Sequence, residues 1–150
     1  MSMTMGMIDC SSEDFEEVTK LFTQWLENYE HHSYINHNTV KIVNNSYENY
    51  YGGIKVGFFV DIKHDYYGMV FQSLINAFES LMNTLPFDKA ILYHDGSGNL
   101  IEWFLTDSDL HKAVQRDGDF IEKTDFPKIS RVTRGDYTLL ESFELITINR

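Results

Sequence analysis

IKVGFFVDIK, residues 54–63, and YGMVFQSLINAFESLMNTL, residues 67–85, decide the fold class between them. In the first stretch Val56, Phe58, Val60 and Ile62 alternate with Lys55, Gly57, Phe59, Asp61 and Lys63, the period-two pattern of a strand. In the second, Val70, Phe71, Leu74, Ile75, Phe78, Leu81 and Met82 recur at three and four residues, the stripe of an amphipathic helix, and Pro86 stands just past its end. A strand giving way to a helix within thirty residues is the start of a mixed α and β architecture.

Working outward, DKAILYH (88–94) and NLIEWFL (99–105) read as two strands. TDSDLHKAVQRDG (106–118) reads as a short helix, with Thr106 or Asp107 as its cap and Gly118 at its C-terminal end. FPKISRVTR (126–134) and DYTLLESFELITI (136–148) read as a final hairpin turning at Gly135 and Asp136. On the N-terminal side, TVKIV (39–43) is a short strand in a polar, Asn-rich region. SSEDFEEVTKLFTQWLENYEHH (11–32) is a helix whose stripe is Phe15, Val18, Phe22, Trp25 and Tyr29, with Ser11 and Asp14 spaced as a capping box. Residues 1–10, rich in Met and Ser, read as a loose lead-in. From residue 54 the order is strand, helix, strand, strand, helix, strand. The expectation is therefore a single α+β domain over 1–150: an antiparallel or mixed sheet of ferredoxin-like (βαββαβ) order, with an extra N-terminal helix and an extra C-terminal strand.

Composition bounds the function classes. Hydrophobic residues make up 43% and aromatics 15% of 150 residues, enough for a core without staples. The 23 Asp and Glu against 12 Lys and Arg give a formal charge of -11, which disfavours direct contact with nucleic acid phosphates or anionic lipid and favours a basic protein partner. The one cysteine, Cys10, rules out an internal disulfide and a Cys-rich zinc site, and points to a reducing, cytoplasmic location. No stretch reads as a secretory signal or a membrane span. No cofactor is called for, and the oligomeric state is not encoded legibly.

The most motif-like segment is ILYHDGSGNLIEW, residues 91–103. Asp95, Ser97 and Asn99 fall at the first, third and fifth positions of a calcium loop. The sixth position, which requires Gly, is Leu100, and the twelfth, which requires a bidentate Glu, is Thr106. A turn accounts for the same residues, because Gly96 and Gly98 permit positive φ and Asp, Ser and Asn favour turns. The His-Asp pairs His64-Asp65 and His94-Asp95 each follow the end of a strand. In the expected order both ends lie at one edge of the sheet with a single strand between, roughly 10 Å apart. There they are candidates for acid/base or metal-dependent hydrolysis. His31, His32 and His37 cluster in EHHSYINH (30–37), but adjacent His31 and His32 diverge on a helix and do not converge on one ion. No GxSxG, P-loop or HExxH pattern occurs.

The remaining signal is a surface. Glu13, Glu16, Glu17, Glu27 and Glu30 share the face of the first helix opposite its apolar stripe, and between Glu13 and Glu30 six acids stand against one lysine. Tyr47, Tyr50 and Tyr51 in SYENYYGG (46–53) add a residue type enriched at interfaces. In size and charge the chain resembles small acidic immunity and inhibitor proteins. The leading expectation is a small acidic intracellular protein that docks through this acidic, Tyr-bearing surface on a basic protein. The alternatives are a small metal-dependent or acid/base hydrolase using the paired His-Asp loops, and a small-molecule sensor domain. If 91–103 is only a turn, millimolar Ca²⁺ leaves the melting temperature unchanged; a calcium-dependent rise identifies a binding loop instead.

Overall fold

The computed structural model describes residues 3–29, 34–44, 53–62, 68–95 and 98–134. Ten elements follow in order: β1 (Met3–Cys10), α1 (Phe15–Asn28), β2 (Val40–Asn44), β3 (Ile54–Asp61), α2 (Met69–Thr84), β4 (Phe87–His94), β5 (Asn99–Leu105), α3 (Asp109–Arg116), β6 (Glu122–Lys123) and β7 (Ile129–Arg134). The strands make one sheet of order β2-β3-β1-β4-β5-β7-β6, in which every pairing is antiparallel. The protein is α+β, with one antiparallel sheet and three helices among the described residues.

The largest departure from expectation is at the start. Residues 3–10 are not a lead-in but β1, an inner strand, paired with β3 on one side and β4 on the other. MTMGMIDC conceals this because Met and Gly carry little β preference and Gly inside a strand weakens it. Its period-two pattern becomes visible only once both neighbours are in place. Thr4, Ile8 and Cys10 are buried on one face, and Met5 and Met7 on the other. It follows that α1 is not an extra helix ahead of the sheet. The strand-helix-strand-strand-helix-strand order begins at β1 and closes at β4, and β5, α3, β6 and β7 extend it. The expected frame, beginning at residue 54, starts two strands too late. The expected extra strand over 136–148 lies outside the described residues.

The two sheet faces differ. Ile8, Val56, Phe58, Val60, Leu92, Ile101 and Trp103 point to the face covered by α1 and α2, and join Val18, Phe22, Trp25, Leu74, Phe78, Leu81 and Met82 in the main core. On the opposite, open face α3 packs Val114 against Phe104 and Val132, and a separate cluster forms around Met5, Met7 and Leu100. Within the main core the rings of Phe58, Phe78 and Trp103 meet edge to face, with centroids 5.2 Å and 5.3 Å apart. Phe58 lies directly across from Gly6 on β1. A Cβ on Gly6 would sit 2.5 Å from Phe58 Cε1 and 3.1 Å from Phe78 Cζ, so the missing side chain is what admits the ring.

Glu79, on α2, is 4% exposed, and a buried carboxylate needs partners. Trp103 Nε1 and Arg131 Nη1 both donate to its Oε2 at 2.6 Å, and Arg131 Nε donates to Glu122 at 2.9 Å. Burial alone would lower the Arg131 pKa, but the Glu79 and Glu122 carboxylates raise it above its ordinary value. One carboxylate thus fastens α2 to β5 and β7, tying the extension to the rest of the sheet. On the other helix, the Trp25 indole donates to Ser80 Oγ at 3.0 Å and locks α1 to α2.

The Gly6–Phe58 fit makes a specific demand. Gly6→Ala should destabilise the protein by about 1–3 kcal/mol, the usual cost of overpacking a filled core. The urea midpoint measures this; an unchanged midpoint would mean that Phe58 has room to move.

Candidate interaction surface

The acidic face is positioned by how α1 starts and what it buries. Asp14 is the N-cap, with extended backbone at φ -90° and ψ 99°, and its Oδ1 accepts from the Glu17 amide at 3.1 Å. Ser12 Oγ accepts from the Asp14 amide at 3.1 Å and donates to Glu17 Oε2 at 3.2 Å. The cap is therefore Asp14 with Glu17 three residues on, not Ser11 with Asp14. Ser11 is taken by the turn before β4, where its amide and hydroxyl both donate to the Pro86 carbonyl, at 2.7 Å and 3.1 Å. In α3, likewise, the cap is Ser108 rather than Thr106 or Asp107, its side chain accepting from the His111 amide. Gly118 does close that helix, at φ 79°.

Val18, Phe22 and Trp25 are buried, and Tyr29 stacks on Trp25 at 4.9 Å. That fixes the rotation of α1 and turns Glu16, Glu17 and Glu27 outward; Glu13, expected on the helix face, stands with the cap Asp14 just before the helix, and all five are exposed. None of them makes an ion pair among the described residues. Phe15, expected in the buried stripe, is 40% exposed and stands among these acids. It opens the helix, one position before Glu16, where the core no longer reaches it. Of the remaining expected contact residues, Glu30, Tyr47, Tyr50 and Tyr51 lie outside the described residues.

The His-Asp pairs fare differently from each other. His64 and Asp65 lie outside the described residues. β3 and β4 do flank a single strand, as expected, but that strand is β1: Met3 pairs with Asp61 and Thr4 with His94. His94 is 8% exposed, its Nδ1 lies 2.7 Å from Thr4 Oγ1, and its ring stacks on Phe71 at 4.3 Å. These contacts hold the imidazole in the sheet rather than presenting it to solvent. Asp95 is exposed, and its amide donates to the Met3 carbonyl at 3.0 Å. The loop beyond joins β4, ending at His94, to β5, beginning at Asn99, and Gly98 takes φ 69° while its amide donates to the His94 carbonyl. His37 sits edge-on to Phe22 at 5.7 Å; His31 and His32 lie outside the described residues. Among the described residues no three His, Cys, Asp or Glu are grouped to hold a metal ion.

One feature escaped the sequence reading. Lys55, 8% exposed, donates to Asp9 Oδ1 at 2.7 Å, and Lys89 lies 3.9 Å from Asp9 Oδ2, because the register sets Lys55, Asp9 and Lys89 side by side on the open face. Asp9 and Lys55 become legible as partners only when residues 3–10 are read as a strand beside β3. The Cys10 thiol is free and buried. Burial, with the Asp9 carboxylate next to it, pushes its pKa up to about 12 against a smaller opposing pull from Lys55.

No known family model matches this sequence, and no curated protein is similar to it. Among solved structures, the chain is similar to Clostridium acetobutylicum aspartate kinase, described as an allosteric enzyme, at 9% identity and a TM-score of 0.37. That match covers 90% of this chain but spans only 30% of the kinase. It is also similar to the regulatory subunit of aspartate kinase from Thermus flavus, at 14% identity and a TM-score of 0.33, over 89% of this chain and 82% of that one. Likenesses this distant carry no argument about function.

With its pKa near 12, Cys10 is almost wholly protonated at pH 8 and should resist a disulfide reagent until denaturant is added. The sign of the linkage is fixed as well. The unfolded thiol ionises near 9 and the folded one near 12, so this group's contribution to stability is intact below pH 9 and is lost as pH rises from 9 towards 12. Rapid labelling of the native protein at pH 8 contradicts both statements.

Proposed function

We propose that this protein is a small binding protein that docks through the outer face of α1 on a basic protein partner, in the manner of an immunity or inhibitor protein. The observation that carries the reading is the set Glu13, Glu16, Glu17 and Glu27: all exposed, Glu13 just ahead of α1 and the other three on its outer face with the exposed Lys20, and none in an ion pair among the described residues. Crowded like charges on a helix cost a few tenths of a kcal/mol per close pair. Opposite charge on a partner offsets that cost and speeds encounter. Phe15, 40% exposed beside Glu16, supplies the aromatic anchor that charge alone lacks. Glu30, Tyr47, Tyr50 and Tyr51 are proposed to extend the same surface.

The hydrolase reading draws no comparable support. Of His64, Asp65, His94 and Asp95, only the last two are described, and His94 is engaged by Thr4 and Phe71. No described helix is long and apolar enough to cross a membrane. A reducing, cytoplasmic location is proposed from the lone thiol of Cys10. The βαββαβ half, β1 to β4 with α1 and α2, is proposed to be a ferredoxin-like unit, on the strength of its element order and its strand order β2-β3-β1-β4.

A partner recovered by affinity capture from the native host provides the test. Glu16→Lys with Glu17→Lys should slow association severalfold at low salt and leave far-UV circular dichroism unchanged. The difference should shrink as the Debye length falls from roughly 10 Å at 0.1 M to 3 Å at 1 M salt. An association rate untouched by the double reversal at low salt would show that the face is merely solvated.

A further inference from the structure

We draw no further inference here: the strongest candidate, the surface patch beside the β6 edge of the sheet where Phe120 stands 80% exposed between Asp119, held by Arg134, and Ile121, packed on the α3 cluster, carries nothing, because the exposed Arg116 and Lys123 balance the exposed Asp117 and Asp125 near it in the chain and nothing in the structure shows what covers it.

Discussion

The structure depends on β1 being able to sit between β3 and β4 with a glycine facing Phe58. Both flanking strands take their register from this one segment: Met3 to Asp9 pair with Lys55 to Asp61, and Thr4 to Cys10 with Phe87 to His94. At the midpoint, Gly6 leaves the space that lets the Phe58 ring meet Phe78, which in turn meets Trp103. A single absent side chain on β1 therefore coordinates β3, α2 and β5. The same strand delivers Ile8 and Cys10 to the main core, and Met5 and Met7 to the opposite face. A strand buried on both faces carries no polar alternation, which is why a segment this central contains hardly any charge before Asp9.

What was legible in the sequence follows from how local each signal is. The alternation of Val56, Phe58, Val60 and Ile62 and the stripe on α2 are properties of the segments themselves, and α2 and β3–β5 stand where periodicity puts them. The turn after His94 was legible because its glycines and Asn have one local explanation. β1 was not, because its strand character comes from two partners distant in sequence and its Gly6 makes sense only opposite Phe58. That single omission moved the whole expected topology by two strands. The caps of α1 and α3 slipped by one to three residues for a different reason. Ser11, Ser12 and Asp14, like Thr106, Asp107 and Ser108, are all competent caps, and tertiary contacts choose among them, as the Pro86 carbonyl does by claiming Ser11.

The candidate surface was legible to the same extent. Burying Val18, Phe22 and Trp25 fixes the opposite face of α1, so the exposure of Glu16, Glu17 and Glu27 follows from the stripe alone, whereas Glu13 stands ahead of the helix. Phe15 escaped because a residue at the end of a stripe loses its neighbours. The polar groups that organise the interior were invisible. Glu79 sits beside the apolar stripe of α2 as any surface acid would, and only Trp103 and Arg131 turn it into a buried clamp. Lys55 reads as the polar face of an alternating strand until Asp9 is placed next to it. Charge in a sequence reports solubility and association; which charges are internal is decided by contacts between segments far apart.

The most direct test of this account is native-state hydrogen exchange along β1. As the inner strand shared by two pairings, the hydrogen-bonded amides between Met3 and Cys10 should exchange only through global unfolding, with protection matching that of β3 and β4 and the same dependence on denaturant. Amides in this segment that exchange as fast as a frayed terminus, while β3 and β4 remain protected, would contradict it.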